Sequence, residues 1–339
     1  MKAVEVVKPG ELKITDRPHP GAPAADEAVV RIRAAGICGS DVHIFHGRNP
    51  FVTYPRIIGH EAAGEVCQVG GAVRGLRPGD GVAIDNVFAC GRCYACREGR
   101  PNVCRQVSVL GVHRDGVFQE YIKIAADHLH KLPAGLSWEH AATAEIFTIG
   151  AQAVSRGQVK GGESVLICGA GPTGLVILQA ARRLGARIAI TDTVDARLDR
   201  AREMGAQLTV NPAREDVVAK IMDFTGGEGA NVIMEATGVV GVLEQAVASL
   251  ASQAGRIVVL GFPTEPAKII PADIMRRELD IRGSRLNNNQ FPAVISWLAG
   301  KEIDPAAIIS HVLPFGEVAE GLRLFDENPA EACKIILTF

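Results

Sequence analysis

Four cysteines fall within fifteen residues, in the pattern Cys90-x-x-Cys93-x-x-Cys96-x7-Cys104. Four thiolates at this spacing close a tetrahedron around zinc, and a set with every position filled leaves none for chemistry, so its role is structural. The segment carrying them, VFACGRCYACREGRPNVC, has few apolar residues to fold around. An iron–sulfur cluster or four free thiols are the other readings of the pattern. A second group is dispersed. It comprises Cys38, Ser40, Asp41 and His43 in GICGSDVH, His60 and Glu61 in GHE, and Glu145 in AEIFTIG. Cysteine, histidine and carboxylate all ligate zinc, and three protein ligands with a fourth place open make a catalytic centre. No single one of these residues carries that reading; the combination does.

A third pattern is Gly169-Ala170-Gly171-Pro172-Thr173-Gly174, a G-x-G-x-x-G between the apolar run SVLIC and the apolar helix LVILQAARRL. That context is what a dinucleotide site requires. The first glycine allows the tight turn, the second lets backbone approach a pyrophosphate, and the third lets helix and strand pack closely. The helix N-terminus then offers free N–H groups to the phosphates. Asp192 stands eighteen residues after Gly174, at the end of the next strand. A carboxylate there accepts from ribose hydroxyls and repels a 2′-phosphate, which favours NAD over NADP; Arg197 close by pulls the other way. Thr237, just after NVIMEA, joins the cofactor-binding set.

The elements that must position these residues change character along the chain. Residues 1–150 are β-rich, with short Val/Ile runs such as EAVVRIRAAG and DGVAID between Gly, Pro and Asp turns, and they hold the cysteine lobe at about 88–105. Residues 151–287 alternate strand and helix: ESVLICG, PTGLVILQAARRLGA, RIAITD, ARLDRAREMGA, LTVNP, DVVAKIMDFTG, NVIMEATG, LEQAVASLAS, RIVVLGF. This is the pattern of a doubly wound parallel sheet. Residues 288–339 return to a helix, AVISWLAG, and strands around HVLPF and KIILTF, packing back on the first part. The fold class is α/β with two domains.

The bulk numbers set limits. Net charge is −2, so no basic field exists to hold nucleic acid. The N-terminus has charges throughout and lacks a signal-peptide core, and the longest apolar stretch is broken by glycines and a proline. A soluble cytoplasmic protein is expected, with no membrane partner. In that compartment eight cysteines point to metal rather than disulfides. Cys67 lies in the strand-like GEVCQVG and reads as core, and Cys168 and Cys333 have no metal-like neighbours.

GHEAAGEVCQVGGAV, residues 59–73, resembles the zinc-alcohol-dehydrogenase signature, and GICGSDVH resembles the family's segment for its first zinc ligand and proton relay. The cysteine lobe and GAGPTG stand in the family's order. The chain is thus similar throughout to the zinc-dependent medium-chain alcohol dehydrogenases. The resemblance implies a GroES-like catalytic domain split around a Rossmann domain, two zinc ions per chain, NAD, and a homodimer or homotetramer paired through the sheet edge at IRGS. It implies Cys38 and His60 as ligands of the catalytic zinc, with Glu61 and Glu145 competing for the third place. A thiolate and one carboxylate neutralise Zn²⁺, so one carboxylate is expected to bind directly at a time. By the same resemblance Ser40 takes the alcohol proton and passes it toward His43, while Asp41 orients His60.

Alcohol-active members often carry a cysteine where Glu145 stands; glutamate there is typical of sorbitol, threonine and sugar-acid relatives. HGRNPFVTYPRIIGHE and VSVLGVHRDGVFQEYI resemble the sugar-acid members, the L-galactonate and L-gulonate 5-dehydrogenases and the starvation-sensing-type proteins. The expected reaction is hydride transfer to NAD from a secondary alcohol of a sugar acid or polyol, a small-molecule substrate. Arg48, Arg114 and Arg285 are candidates to hold its carboxylate. A polyol or amino-alcohol dehydrogenase is the alternative. A non-catalytic NAD-binding regulator would be expected to lack a zinc ligand or the relay serine, and a zinc-free quinone reductase would lack the metal positions.

Overall fold

The computed structural model describes residues 1–339. The chain forms two compact units, one of residues 1–145, 287–301 and 309–339, the other of residues 146–286 and 302–308.

The first unit is built on the strand Glu27–Ile37, buried at eight of its eleven positions. It pairs antiparallel with Glu61–Val69 on one side. On the other side it pairs with Tyr121–Ala125 over its first half and with the last strand, Lys334–Thr338, over its second. The register places Gly36 opposite both Glu61 and Ile336, and Ile37 opposite Ile335. One strand end therefore brings together Cys38, Glu61 and Lys334, from three distant parts of the sequence. The helix Gly39–Phe45 follows at once, with Cys38 as its N-cap. The helix Val318–Glu327, absent from the reading of the sequence, packs Gly321 against Ile37 and sets Phe325 against Gly39. Its charged residues and central glycine mask an amphipathic pattern that buries Val318, Gly321 and Leu322.

The second unit holds a six-stranded, all-parallel sheet. Its order is Leu208–Val210, Arg187–Thr191, Ser164–Cys168, Ala230–Glu235, Ala251–Val259, Asp280–Gly283. Numbered within the unit this is 3-2-1-4-5-6, the doubly wound order, and its switch point lies beside the strand that feeds the glycine loop. Ser164–Cys168 is buried at all five positions. Residues 302–308 belong here, tied by Gln179 to both backbone groups of Asp304 and by the Arg183–Glu302 ion pair. Asp280–Gly283 and Leu208–Val210 are the two edges of the sheet. No helix is long and apolar enough to cross a membrane.

Candidate active site

The dispersed ligand set assembles. One ligand atom each from Cys38, His60 and Glu61 lies within 4.8 Å of the others. His60 is 8% exposed and Glu61 is fully buried. Gly36 has no side chain because a Cβ there would stand 2.3 Å from Glu61 Oε2. Asp41, also fully buried, ties the two ligand-bearing segments together: its Oδ2 accepts from Cys38 N at 2.9 Å and its Oδ1 from Gly59 N at 3.0 Å. Asp41 lies beside His60, the residue it is expected to orient, and against the effect of burial its charge raises the His60 pKa. His60 Nδ1 stands 3.8 Å from Asp41 Oδ1, at ion-pair distance. Burial raises the Asp41 carboxyl above its ordinary range.

Lys334 is the residue the reading of the sequence missed. Its ammonium is 1% exposed and donates to Glu61 Oε1 at 2.7 Å and to Ile37 O at 3.2 Å. Burial works against its charge, but Glu61, Cys38 and Glu145 hold it well above the usual lysine range. Its signal in the sequence was a lysine heading the otherwise apolar KIILTF. Lys334 also alters the charge argument. A thiolate and two carboxylates carry −3; Zn²⁺ and Lys334 carry +3. Both carboxylates are thereby accommodated in one neutral site.

Glu145 is 5% exposed and accepts from Asn86 Nδ2 at 2.9 Å. It lies outside the compact three-ligand group. Burial pushes its carboxyl up to about 7; Glu61 adds to the shift, while His60, Lys334 and Asn86 oppose it. Ser40 Oγ, His60 Nδ1 and Glu61 Oε2 are buried without hydrogen-bond partners. Native structures leave few such atoms unless something outside the chain completes them. Two of the three belong to ligand-type residues, and the surrounding anions draw positive charge to His60 strongly enough to overcome its burial. The residues fit a divalent cation. Ser40 and His43 share a face of the helix Gly39–Phe45, with His43 exposed.

The cysteine lobe is closed by pairing of Val87–Phe88 with Ser108–Val109. Cys93 Sγ stands 3.5 Å from Cys96 Sγ and 3.8 Å from Cys104 Sγ, and all eight cysteines are free thiols. Zinc–sulfur bonds of about 2.3 Å give a tetrahedron with edges of about 3.8 Å, so the lobe has the dimensions of a closed zinc site. Backbone N–H groups of Arg105 and Cys96 lower the Cys93 thiol to about 6, and those of Arg92 and Cys93 lower Cys90.

In the second unit Gly169 takes φ +101°, and a Cβ at Gly174 would meet Gly169 O at 1.8 Å. A Cβ at Gly171 would meet nothing within 4 Å. The smallness of Gly171 therefore serves something outside the protein, as a pyrophosphate cradle requires. The helix Pro172–Arg183 opens there with Pro172 and Thr173 in its first turn. Asp192 Oδ2 accepts from Ala170 N at 2.8 Å, so Asp192 also braces the loop, and Arg197 lies 3.7 Å from it. Glu235, 1% exposed, accepts from Thr237 N, Thr237 Oγ and Gly238 N. Thr237 is thus held inside its own turn, and Glu235 is a second residue the sequence did not single out. Arg48, Arg114 and Arg285 are exposed. Arg114 stacks on Phe88 at 4.2 Å and donates from Nε to Ser108 Oγ at 3.1 Å.

The chain is similar to known proteins over its whole length. The alcohol dehydrogenase GroES-like domain matches residues 24–134, and the zinc-binding dehydrogenase family matches residues 172–300. The starvation-sensing protein RspB of Escherichia coli K12 is 41% identical, over 100% of this chain and 99% of its own. The sorbitol dehydrogenase of Bacillus subtilis is 36% identical over 99% and 97%, and the L-galactonate-5-dehydrogenase of Escherichia coli K12 is 34% identical over 98% and 97%. The crystal structure of the alcohol dehydrogenase rspB from Escherichia coli CFT073, complexed with NADH, superposes with a TM-score of 0.94 at 39% identity, covering 100% of this chain and 99% of that one.

Proposed function

This chain belongs to the zinc-dependent medium-chain alcohol dehydrogenases, and from that membership we propose that it oxidises a secondary hydroxyl of a sugar acid. It is a zinc- and NAD-dependent dehydrogenase. The observation that carries the reading is the Cys38–His60–Glu61 set, backed by Lys334 and Glu145. When bound, zinc supplies a Lewis acid for the substrate hydroxyl and NAD the hydride acceptor.

The chain's own residues do the rest. Cys38, His60 and Glu61 hold the metal, and Lys334 fixes one oxygen of Glu61 so that the other points away from it. Ser40 takes the hydroxyl proton and His43, on the same helix face, returns it to solvent. Gly169, Gly171 and Gly174 seat the pyrophosphate, with Asp192 on the adenosine ribose. Cys90, Cys93, Cys96 and Cys104 hold the second zinc. A carboxylate on the substrate needs a cation set back from the metal, and Arg114, stiffened by Phe88 and Ser108, is pre-organised for it.

The chain works in the reducing cytoplasm, as its eight unpaired cysteines favour. It pairs through the edge strand Asp280–Gly283, which leaves Ile281 38% exposed. Light scattering should give at least a dimer.

The substrate test is NAD reduction by zinc-loaded protein across aldonates and their parent alditols. An aldonate should beat its alditol in kcat/KM. The 36% identity to a sorbitol dehydrogenase favours the second reading, a polyol substrate. Faster turnover of sorbitol or xylitol than of any aldonate would establish that reading in place of the first.

A further inference from the structure

We propose that Asn86 orients the substrate: its side-chain carbonyl receives a hydroxyl on the carbon next to the one oxidised, and the site selects vicinal diols. This rests on Cys38, His60 and Glu61 being the active centre, and it sharpens the class of substrate that centre takes.

Asn86 is 0% exposed. The residue is held by its backbone and by its side chain. The backbone carbonyl accepts from Leu110 N at 3.1 Å, just before the strand Val87–Phe88, and Nδ2 donates to Glu145 Oε1 at 2.9 Å. With Nδ2 committed to the carboxylate, Oδ1 is the free end, and it is buried with no partner. An unsatisfied buried acceptor is costly, and a fold keeps one where a ligand brings the donor.

The neighbouring unsatisfied atoms have claimants. Glu61 Oε2 faces a metal ligand's task, His60 Nδ1 faces Asp41 Oδ1 at 3.8 Å, and Ser40 Oγ receives the reacting hydroxyl's proton. Oδ1 of Asn86 is left, and its chemistry narrows what can meet it. An amide oxygen accepts and cannot donate. An ionised carboxylate, which only accepts, is excluded there, and a methylene leaves the oxygen orphaned. A hydrogen-bond donor is needed, and the nearest a substrate can offer beyond its reacting hydroxyl sits on the adjacent carbon. The thiolate and two carboxylates are already balanced by the metal and Lys334. The neutral donor, a hydroxyl, therefore fits better than an ammonium. A site built to hydrogen-bond a substrate hydroxyl rejects the analogue lacking it, because its own polar atom is then left unpaired.

The experiment uses the zinc-loaded enzyme with NAD and two probes that differ by one hydroxyl, 2,3-butanediol and 2-butanol. The wild type should prefer the diol in kcat/KM. Asn86→Ala should shrink that preference about tenfold, the upper worth of one neutral hydrogen bond, with KM for the diol rising more than kcat falls. Titration of the enzyme–NADH complex by fluorescence should show diol affinity weakened by the same factor and 2-butanol affinity changed less. Asn86→Asp keeps acceptor oxygens but loses the donor to Glu145. It should retain the diol preference while lowering kcat on both substrates. Asn86→Leu carries the same test if the alanine variant does not fold.

Equal losses on both substrates would mean that Asn86 acts only through Glu145, and the proposal fails. A wild-type advantage for 3-amino-2-butanol over the diol would assign the donor to an ammonium and also overturn it. Aldonates that stay inert while the diol preference holds would instead sink the sugar-acid reading and leave Asn86 in its role.

Discussion

The two metal-ligating sets are built in opposite ways. The cysteine lobe draws every ligand from residues 90–104, and its surroundings are wet: Tyr94 is 72% exposed, and the short helix Tyr94–Arg97 buries none of its residues. What holds its thiols together is local backbone, with Cys104 Sγ accepting from Cys90 N and Gln106 N, each at 3.3 Å. The Cys38–His60–Glu61 set draws on the register of three long strands, and on Lys334, 273 residues from the carboxylate it holds. Asp41, Glu61 and Lys334 are all but sealed from solvent. In the lobe the metal stands in for a core that the sequence lacks. In the mixed set the ligands hang on a buried core of paired strands.

The largest effects should therefore fall on different observables. His60→Ala should lower kcat by about 10³-fold or more, because a Lewis acid supplies several kcal/mol of charge stabilisation. It should leave the unfolding midpoint near that of the wild type. Cys93→Ser should reverse the pattern, removing more than about 4 kcal/mol of stability through loss of a structural metal. Metal analysis should find one zinc per chain in either variant and two in the wild type. The comparison breaks if His60→Ala unfolds the protein, or if Cys93→Ser keeps full stability with a single zinc.

Lys334 tests the charge balance of the mixed set. Lys334→Met leaves Glu61 as a buried charge without its partner, and breaking a buried pair in this way costs about 3–5 kcal/mol. The double variant Lys334→Met, Glu61→Gln should recover much of that loss in urea unfolding of metal-free protein. If Lys334→Met proves neutral, Glu61 is not held by Lys334 and the site is not balanced by its ammonium.

What the sequence made legible follows the same division. The lobe was readable because its ligands and its closing strands are neighbours in the chain. The glycine loop was readable because each of its glycines has a local reason, and Gly169 and Gly174 meet the backbone limits that the motif implies. Lys334 and Asn86 were not. Each acquires its role from a strand register or a hydrogen bond that spans the sequence, 273 residues for one and 59 for the other. Asp41 was singled out as the partner of His60, beside which it lies, but its bonds to Cys38 N and Gly59 N could not be read, because only the folded loop presents those groups. The helix Val318–Glu327 was missed because four of its ten residues are charged and its buried face is only three residues wide.

The smallest effect is one of sign. In metal-free protein Glu145 is raised from 4.5 to about 7, chiefly by burial. The folded state then holds a proton that the unfolded state has released, so stability falls as pH rises between those values, at no more than about 1.4 kcal/mol per pH unit for one proton. The contribution is fully present below the unfolded value and gone above the folded one. Cys93 runs the other way, lowered from 9.0 to about 6 by backbone N–H groups. Its contribution is present above the unfolded value and is lost as pH falls through about 6. Urea unfolding of the apoprotein should thus show the mixed set weakening toward alkaline pH and the lobe weakening toward acid. Glu145→Gln should reduce the first slope, leaving the part that Asp41 and His60, both also raised, contribute, and should leave the second unchanged. Zinc in the mixed set should flatten the first slope even in the wild type, because added positive charge beside Glu145 favours its ionised form. A slope unchanged by Glu145→Gln would place the titrating proton on another group and remove Glu145 from the site's charge balance.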